Sequence, residues 1–196
     1  MPTETSIRLH RFEPSSRVNG PGLRAVIWVQ GCALGCPGCF NPETHDFQGG
    51  EIWTVEQLAQ RLLDLQNGLE GLTISGGEPA HQHRALTLLL KKVREQSSLS
   101  VVVFSGYEMA ELQRIPRIEA FLSTIDVLIA GRYDASQRVA RGLVGSANKT
   151  AHFLTGRYSA KDLEDVPQAE ILLSPDGEII LSGIDPLRWI EPGEKD

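Results

Sequence analysis

All three cysteines of this 196-residue chain lie within the segment QGCALGCPGCFNPETH, residues 30–45. Cys32, Cys36 and Cys39 have the spacing C-x3-C-x2-C, and the glycines beside them let the backbone turn sharply. An odd number of thiols excludes a framework in which every cysteine forms a disulfide. The spacing instead favours thiolates that ligate one metal group from a single loop.

Two metal groups fit this loop. Three thiolates can bind three irons of a cubane iron–sulfur cluster, which leaves the fourth iron open to a substrate or cofactor. The alternative is a structural Cys3His zinc site with His45 as the fourth ligand. Structural zinc sites usually take their ligands from two separate segments, so a single loop favours the cluster. Packed core cysteines are a third interpretation, which the flanking glycines disfavour because a core needs bulk.

The segment SGGEP, residues 75–79, is the second candidate motif. It follows an apolar run and precedes an amphipathic one. Gly76 and Gly77 would let a ligand approach the backbone closely, and Glu78 could accept hydrogen bonds from a cationic amine. A plain turn with an acidic residue near a helix start explains the same letters, since the helix dipole favours a carboxylate there.

The elements that must position these motifs alternate along the chain. Apolar runs rich in β-branched residues predict strands at 23–30, 71–75, 99–105 and 125–131. Amphipathic stretches predict helices at 54–68, 81–96 and 107–122, the last interrupted at Pro116. This alternation predicts an α/β fold with a parallel sheet and right-handed crossovers. A closed eight-unit barrel needs roughly 250 residues, so we expect a partial, open barrel with ligands beyond the carboxyl ends of the strands.

The C-terminal part has a different pattern. Residues 156–167 are polar and predict a connector, and residues 169–183 predict a β-hairpin around Pro175, Asp176 and Gly177. We therefore expect a core at residues 1–156 and a C-terminal extension at 157–196 that packs on the same domain.

Bulk properties narrow the classes of function. The formal net charge of −6 disfavours a nucleic-acid binder, which is usually basic. The first residues, MPTETSIRLHRF, lack the apolar core of a signal peptide, and no apolar run reaches transmembrane length. A protein of the reducing cytoplasm, without a membrane or nucleic-acid partner, is expected.

Taken together, the two motifs resemble those of the radical S-adenosylmethionine (SAM) superfamily. The chain looks most like the activating enzymes of glycyl-radical proteins, especially those of anaerobic ribonucleotide reductase, over residues 10 to 155. VNGPGLR at 18–24 matches that family's entry strand. The other matching segments are the cysteine loop, SGGEP, FSGYEMAEL, DVLIAGRYD and GSANKTAHFL.

The resemblance implies a specific site. Cys32, Cys36 and Cys39 would hold a [4Fe-4S] cluster whose unligated iron chelates the amino and carboxylate groups of SAM. Gly77 and Glu78 would receive the methionine ammonium, with Gly76 in the same turn. Gly38 and Phe40 would lie near the adenine.

The resemblance also implies the reaction. An electron from the cluster would cleave SAM reductively to a 5′-deoxyadenosyl radical, which would take a hydrogen atom from a glycine of a larger partner. No catalytic side chain is expected beyond the cluster and SAM. Ferredoxin-type clusters have potentials near −400 mV, so a flavodoxin or ferredoxin is the expected electron donor.

One segment departs from the family pattern. Where the activating enzymes tend to carry Asp-Gly-Lys, this chain has Ala130-Gly131-Arg132. Arg132 could pair with the methionine carboxylate or cap a surface loop. It begins a locally basic stretch that runs to Arg157 and includes Lys149. That stretch could dock an acidic partner, hold the cofactor carboxylate or form a solvated loop.

Two other functions fit the sequence. One is a radical SAM enzyme that modifies a peptide or small molecule, with the C-terminal hairpin offering an edge strand to a peptide. The other is a non-enzymatic interaction module held together by zinc.

Overall fold

A central sheet positions both motifs. The computed structural model describes residues 5–173, 177 and 179–184. Its strands are β1 (Ser6–Ser16), β2 (Arg24–Val29), β3 (Glu51–Thr54), β4 (Gly71–Gly76), β5 (Ser100–Ser105), β6 (Val127–Ala130), β7 (Arg138–Arg141), β8 (Val144–Ser146), β9 (Thr150–Phe153), β10 (Ala169–Leu173) and β11 (Ile179–Gly183). Its α-helices are α1 (Val55–Leu65), α2 (His83–Gln96), α3 (Met109–Leu112), α4 (Ile118–Leu122) and α5 (Ala160–Glu164).

Seven strands form one mixed sheet in the order β3-β1-β2-β4-β5-β6-β9. The pairs β2–β4, β4–β5 and β5–β6 are parallel, whereas β1–β2, β1–β3 and β6–β9 are antiparallel. The prediction of a parallel sheet is thus confirmed for its four central strands. Their carboxyl ends lie at one edge, where the cysteine loop and the SGGEP turn both begin.

The central strands form because their residues are buried on both faces. In β5, Val101 and Val103 pack with the helices α1 and α2, while Val102 packs with Leu143 and Leu163 on the opposite face. This two-sided burial explains why the strands read as continuous apolar runs rather than as alternating ones.

The helices begin and pack as their sequences indicate. Thr54 caps α1 in a reciprocal capping box, since its side chain accepts from the Gln57 N–H and the Gln57 side chain accepts from the Thr54 N–H. The apolar face of α1, which includes Leu58 and Leu62, is fully buried. The interruption predicted at Pro116 separates α3 from α4.

Three features differ from the sequence-based expectation. Most of the expected entry strand at 18–24 lies in the turn between β1 and β2, and the strand itself begins at Arg24. The polar connector at 156–167 contains the short helix α5, which a capping box between Ser159 and Asp162 starts. The antiparallel strands β1, β3 and β9 flank the parallel centre without having been predicted.

The C-terminal strands β10 and β11 pair antiparallel, from Ala169 opposite Gly183 to Leu173 opposite Ile179. The predicted turn at Pro175 and Asp176 lies outside the described residues.

Arg24 joins the sheet to the C-terminal segment. Its guanidinium is fully buried and donates to the carbonyl oxygens of Leu72 at 2.8 Å and Ser100 at 3.1 Å, and to Thr73 Oγ1 at 2.8 Å. Tyr158 Oη lies 3.4 Å from the same group. Burial lowers the Arg24 pKa, and its nearby hydrogen-bond partners offset part of that cost.

Replacing Arg24 by leucine is expected to reduce the free energy of unfolding by about 3 kcal/mol, because several buried acceptors lose their donor at once. Urea unfolding of the two proteins measures the difference. Arg114→Leu, at an exposed position, is the matched control and is expected to change stability by less than about 0.5 kcal/mol. Equal losses in both variants would contradict this role for Arg24.

Among the described residues, no helix combines the length and apolar character that crossing a membrane requires.

Candidate active site

The cysteine loop leaves the end of β2 and is closed at its base by hydrogen bonds. The Gly31 N–H donates to Thr44 O at 2.8 Å, and the Cys32 N–H donates to His45 O at 3.2 Å. The buried Gln30 side chain donates from Nε2 to Asp46 O at 2.7 Å. Residues 31–45 are therefore held as a closed loop whose thiols lie beyond the sheet edge.

The SGGEP turn is bonded directly to the start of that loop. The Gly77 N–H donates to Val29 O at 2.7 Å, and the Glu78 N–H donates to Gly31 O at 2.9 Å. A Cβ at Gly77 would lie 2.5 Å from Gly31 O, which is too close for any residue that carries a side chain. The two motifs thus form one unit, and a glycine at position 77 is a requirement of that joint.

Glu78 is buried and holds two strand ends together. Its Oε1 accepts from the Ala80 N–H and from Ser105 Oγ, both at 2.9 Å, and its Oε2 accepts from the Gly106 N–H at 2.7 Å. Burial raises the pKa of this carboxyl group, and the three hydrogen bonds oppose that rise. Ser105 and Gly106 were not singled out from the sequence, although they follow β5 as SGGEP follows β4.

A cavity of about 420 Å³ opens beside this unit. Most of the residues that the sequence singled out line it: Cys32, Cys36, Cys39, Phe40, Gly76, Gly77 and Glu78. Two do not. Gly38 is exposed, and a Cβ there would lie closest to the side chains of Ala135 and Tyr133. Arg132 lies outside the cavity wall. His45, the alternative zinc ligand, lines the cavity as well.

The three thiols are half-buried and unbridged. Burial raises the pKa of Cys32 and of Cys39, and the neighbouring thiols raise it further. A bound metal group reverses this effect, since metal ligation deprotonates a thiol. Across the described part of the chain, no three His, Cys, Asp or Glu side chains converge as ligands of a single ion.

Among the residues that the structure describes, Lys149 is the one lysine or arginine that lines this cavity. Its Nζ donates to Gly131 O. Burial lowers the Lys149 pKa, while the negative potential of Cys36, Glu78 and Cys39 opposes that shift. The sequence placed Lys149 in a basic stretch and in the family-like segment GSANKTAHFL, without singling it out from the other cations.

Arg132 points to a different partner. Its Nη1 lies 2.6 Å from Glu111 Oε2, and its guanidinium lies 5.7 Å from the centre of the Tyr107 ring. The side chain is 44% exposed. In the structure, Arg132 therefore makes a contact at the surface. A surface role was one of the two roles that the sequence suggested for it, the other being a contact with the cofactor.

Phe40 forms part of the cavity wall and is partly exposed. Its ring centre lies 4.4 Å from that of Tyr133, and the Arg138 guanidinium lies 5.3 Å from the Phe40 ring centre. A Cβ at Gly145 would lie 2.7 Å from the Phe40 ring, so β8 approaches the ring closely. The result is a flat apolar surface at the mouth of the cavity.

Comparison with known proteins agrees with this geometry. Residues 18–152 match the family model of the 4Fe-4S single cluster domain. The chain is 35% identical over 150 residues to the anaerobic ribonucleoside-triphosphate reductase-activating protein of Haemophilus influenzae, an alignment that covers 72% of this chain and 95% of that protein. It is 34% identical over 154 residues to the Vibrio cholerae protein of the same name, covering 74% of this chain and 97% of that protein.

Two further similarities are more limited in extent. The pyruvate formate-lyase-activating enzyme of Clostridium pasteurianum is 36% identical over 112 residues, which cover 55% of this chain and 47% of that enzyme. The crystal structure of QueE from Escherichia coli covers 52% of this chain and 52% of its own chain, with 15% identity and a TM-score of 0.42.

The family model spans more than half of the chain, including the cysteine loop and the SGGEP turn. Three cysteines in one loop, hydrogen-bonded to a glycine turn beside the same cavity, are of the kind and number that could hold a [4Fe-4S] cluster, and the cavity offers space for SAM. The chain belongs to the 4Fe-4S single cluster domain family and is a radical SAM enzyme of the glycyl-radical activating type.

Proposed function

We propose that this protein generates a glycyl radical on an anaerobic ribonucleotide reductase. The observation that carries this proposal is the hydrogen bond from the Glu78 N–H to Gly31 O, which joins the cysteine loop and the SGGEP turn on one cavity wall. The names of the Haemophilus influenzae and Vibrio cholerae relatives support the choice of partner.

Cys32, Cys36 and Cys39 are the proposed ligands of the cluster, with one iron left for the amino and carboxylate groups of SAM. When bound and reduced, the cluster supplies the electron that cleaves a C–S bond of the SAM sulfonium. Because breaking this bond by electron transfer moves no proton, we expect no side chain of the chain to act as an acid or base in this step. Its residues orient SAM and limit the access of water to the cavity.

Gly76, Gly77 and Glu78 are proposed to receive the methionine ammonium. An ionised carboxylate has about four lone-pair positions, and the structure uses three of those of Glu78. The remaining position belongs to Oε2, which accepts only from the Gly106 N–H. Glu78 can therefore brace the ends of β4 and β5 and still accept one bond from the ammonium.

Lys149 is proposed to pair with the methionine carboxylate, in the role that the sequence had suggested for Arg132. Lys149 is the cation that lines the cavity wall, whereas Arg132 is bound to Glu111. Partial burial of the Lys149 ammonium costs free energy because the charge loses water. A carboxylate ligand beside it would offset part of that cost, so the charged form of Lys149 and the bound ligand would stabilise each other.

Phe40 is proposed to lie against the adenine, since its ring is at the cavity mouth and a flat apolar surface suits a base. Gly38 is proposed to contribute through its backbone. Its φ of 70° is a left-handed conformation, which forms the turn of the loop immediately before Cys39 and Phe40.

The architecture that we propose for this reaction is a partial, open (β/α) barrel of the radical-SAM type with a C-terminal hairpin. Residues 1–156 would be its core and residues 157–196 an extension on the same domain. We further propose a cytoplasmic enzyme that receives electrons from a flavodoxin or ferredoxin and has neither nucleic acid nor membrane as a partner.

Anaerobic reconstitution with iron and sulfide tests the function. With dithionite and SAM, the protein is expected to release 5′-deoxyadenosine. With SAM and the anaerobic reductase encoded in the same genome, it is expected to give a glycyl-radical signal in electron paramagnetic resonance (EPR) spectra. Absence of 5′-deoxyadenosine overturns the proposal. Release of 5′-deoxyadenosine without a radical on the reductase favours the alternative, a peptide or small-molecule substrate.

A further inference from the structure

The pair of strands β10–β11 lies beyond the residues that the family model matches, yet it touches the active site. Glu170 Oε2 accepts from the Arg17 N–H at 3.0 Å, and Glu170 Oε1 accepts from Ser16 Oγ. Asn19 Nδ2 donates to Ser182 Oγ at 3.0 Å. These contacts fix the strand pair to the turn between β1 and β2. The end of β11 from Leu181 to Gly183, with the next residue Ile184, forms part of the cavity wall.

The register of the two strands separates their faces. Residues directly opposite each other share a face, so Ile171 lies beside Leu181, and Leu173 lies beside Ile179. Glu170 and Ser182, which hold the strand pair to the β1–β2 turn, belong to the other face.

The first of these faces is apolar and exposed. Ile171, Leu173 and Ile179 are 50%, 73% and 48% exposed, and we call these three residues the apolar stripe. On the same face, Leu181 continues the stripe into the cavity wall. The protein therefore presents an apolar track that runs from its surface to the mouth of its active site.

We propose that the apolar stripe binds the polypeptide segment of the partner protein that carries the target glycine, and guides it to the cavity. This inference rests on the proposed function and adds the surface that selects the partner. A small-molecule substrate would occupy the cavity alone and would not reach the stripe. An occupant that contacts the stripe and also reacts in the cavity must be an extended chain.

Two observations favour a partner protein as the occupant. The stripe continues into the active-site wall through Leu181, so its occupant is the molecule that enters the site. The alignments with the Haemophilus influenzae and Vibrio cholerae proteins cover at least 95% of those proteins but at most 74% of this chain. The family model ends at residue 152, before the strand pair. An addition to the common core that borders the active site can add contacts with the partner to those that the core itself makes.

The test compares two triple variants with the wild-type protein, all loaded with cluster and SAM. The first is Ile171→Ser/Leu173→Ser/Ile179→Ser. The matched control is Ile52→Ser/Leu88→Ser/Leu154→Ser, which removes exposed apolar side chains elsewhere on the surface. The probe is the full-length anaerobic reductase encoded in the same genome, and the measurements are its Kd and the yield of glycyl radical. Leu173→Ser alone, at the most exposed position, is a variant that leaves the fold least disturbed.

The stripe variant is expected to bind the reductase roughly 100-fold more weakly, because three apolar contacts are lost and each accounts for about a fivefold change. Leu173→Ser is expected to show about a fivefold loss. Release of 5′-deoxyadenosine with dithionite and no reductase should be the same in all variants, and the control should bind as the wild type does.

Several results would overturn the inference. One is equal binding by the stripe variant and the control. A second is a larger fall in thermal stability for the stripe variant than for the control, because the stripe would then be covered by the chain itself. A third is a wild-type dimer that the stripe variant dissociates. Failure of the proposed function is distinct, since the wild-type protein would then give no 5′-deoxyadenosine or no radical on the reductase.

Discussion

Replacing any one of Cys32, Cys36 and Cys39 by alanine is expected to reduce bound iron from about four atoms per chain to a small fraction of that number. The chain has only three cysteines, all in one loop, so with these as the proposed cluster ligands the loss of one would leave a site that cannot retain the cube. Release of 5′-deoxyadenosine should fall below detection in each variant. Iron and sulfide analysis of anaerobically reconstituted protein, with the visible absorption of the cluster, measures the effect.

His45→Ala is the control that separates a cluster from a zinc site. His45 lines the same cavity, but it contributes a backbone carbonyl to the loop, which accepts from the Cys32 N–H at 3.2 Å and persists in the variant. We expect this variant to keep its iron. A protein that binds one zinc in place of iron, and loses it with His45, would contradict the cluster.

The central part of the fold was predictable because its signals are local. The strands β2, β4, β5 and β6 are continuous apolar runs. Such runs favour the centre of a sheet, where both faces of a strand are buried. The cysteines and the SGGEP turn follow two of these strands directly, so the parallel arrangement brings them to one edge without further information. This is why the three thiols and the glycine turn in the cavity wall could be named from the sequence.

The other parts depend on contacts between distant residues. β1 mixes buried Ile7 and Leu9 with polar neighbours, and it becomes a strand by pairing with β2 and β3 on its two sides. The approach of β11 to the cavity depends on Glu170 and Ser182 meeting the β1–β2 turn. Nothing in the local sequence of either segment specifies these contacts.

Lys149 is the clearest example within the site. In the sequence it is one of several basic residues, and Arg132 takes the position of the family's lysine. In the fold, the antiparallel pairing of β6 with β9 sets Ala130 opposite Thr150. That pairing brings Lys149 beside Gly131 and into the cavity. The register between these two strands therefore decides which cation lines the cavity.

Lys149→Met is expected to weaken SAM binding to the loaded protein by roughly 10- to 100-fold. A hydrogen bond to a charged group contributes about 1.5–3 kcal/mol, and about 1.4 kcal/mol corresponds to a factor of ten. Arg132→Met is expected to leave SAM affinity unchanged, because its guanidinium is bound to Glu111 at the surface. Equilibrium dialysis with labelled SAM measures both affinities, and the EPR spectrum of the reduced cluster with and without SAM reports whether SAM reaches the iron.

A third variant, Lys149→Gln, separates the charge of this side chain from its hydrogen bond. Glutamine keeps a donor for Gly131 O, the contact that Lys149 makes in the structure, but it carries no charge. If Lys149 binds the carboxylate, Lys149→Gln should lose SAM affinity nearly as far as Lys149→Met does. If Lys149 only braces the end of β6, glutamine should restore the wild-type affinity, and the carboxylate would need another partner. A loss of affinity in Arg132→Met alone would return that role to the residue that the sequence first suggested.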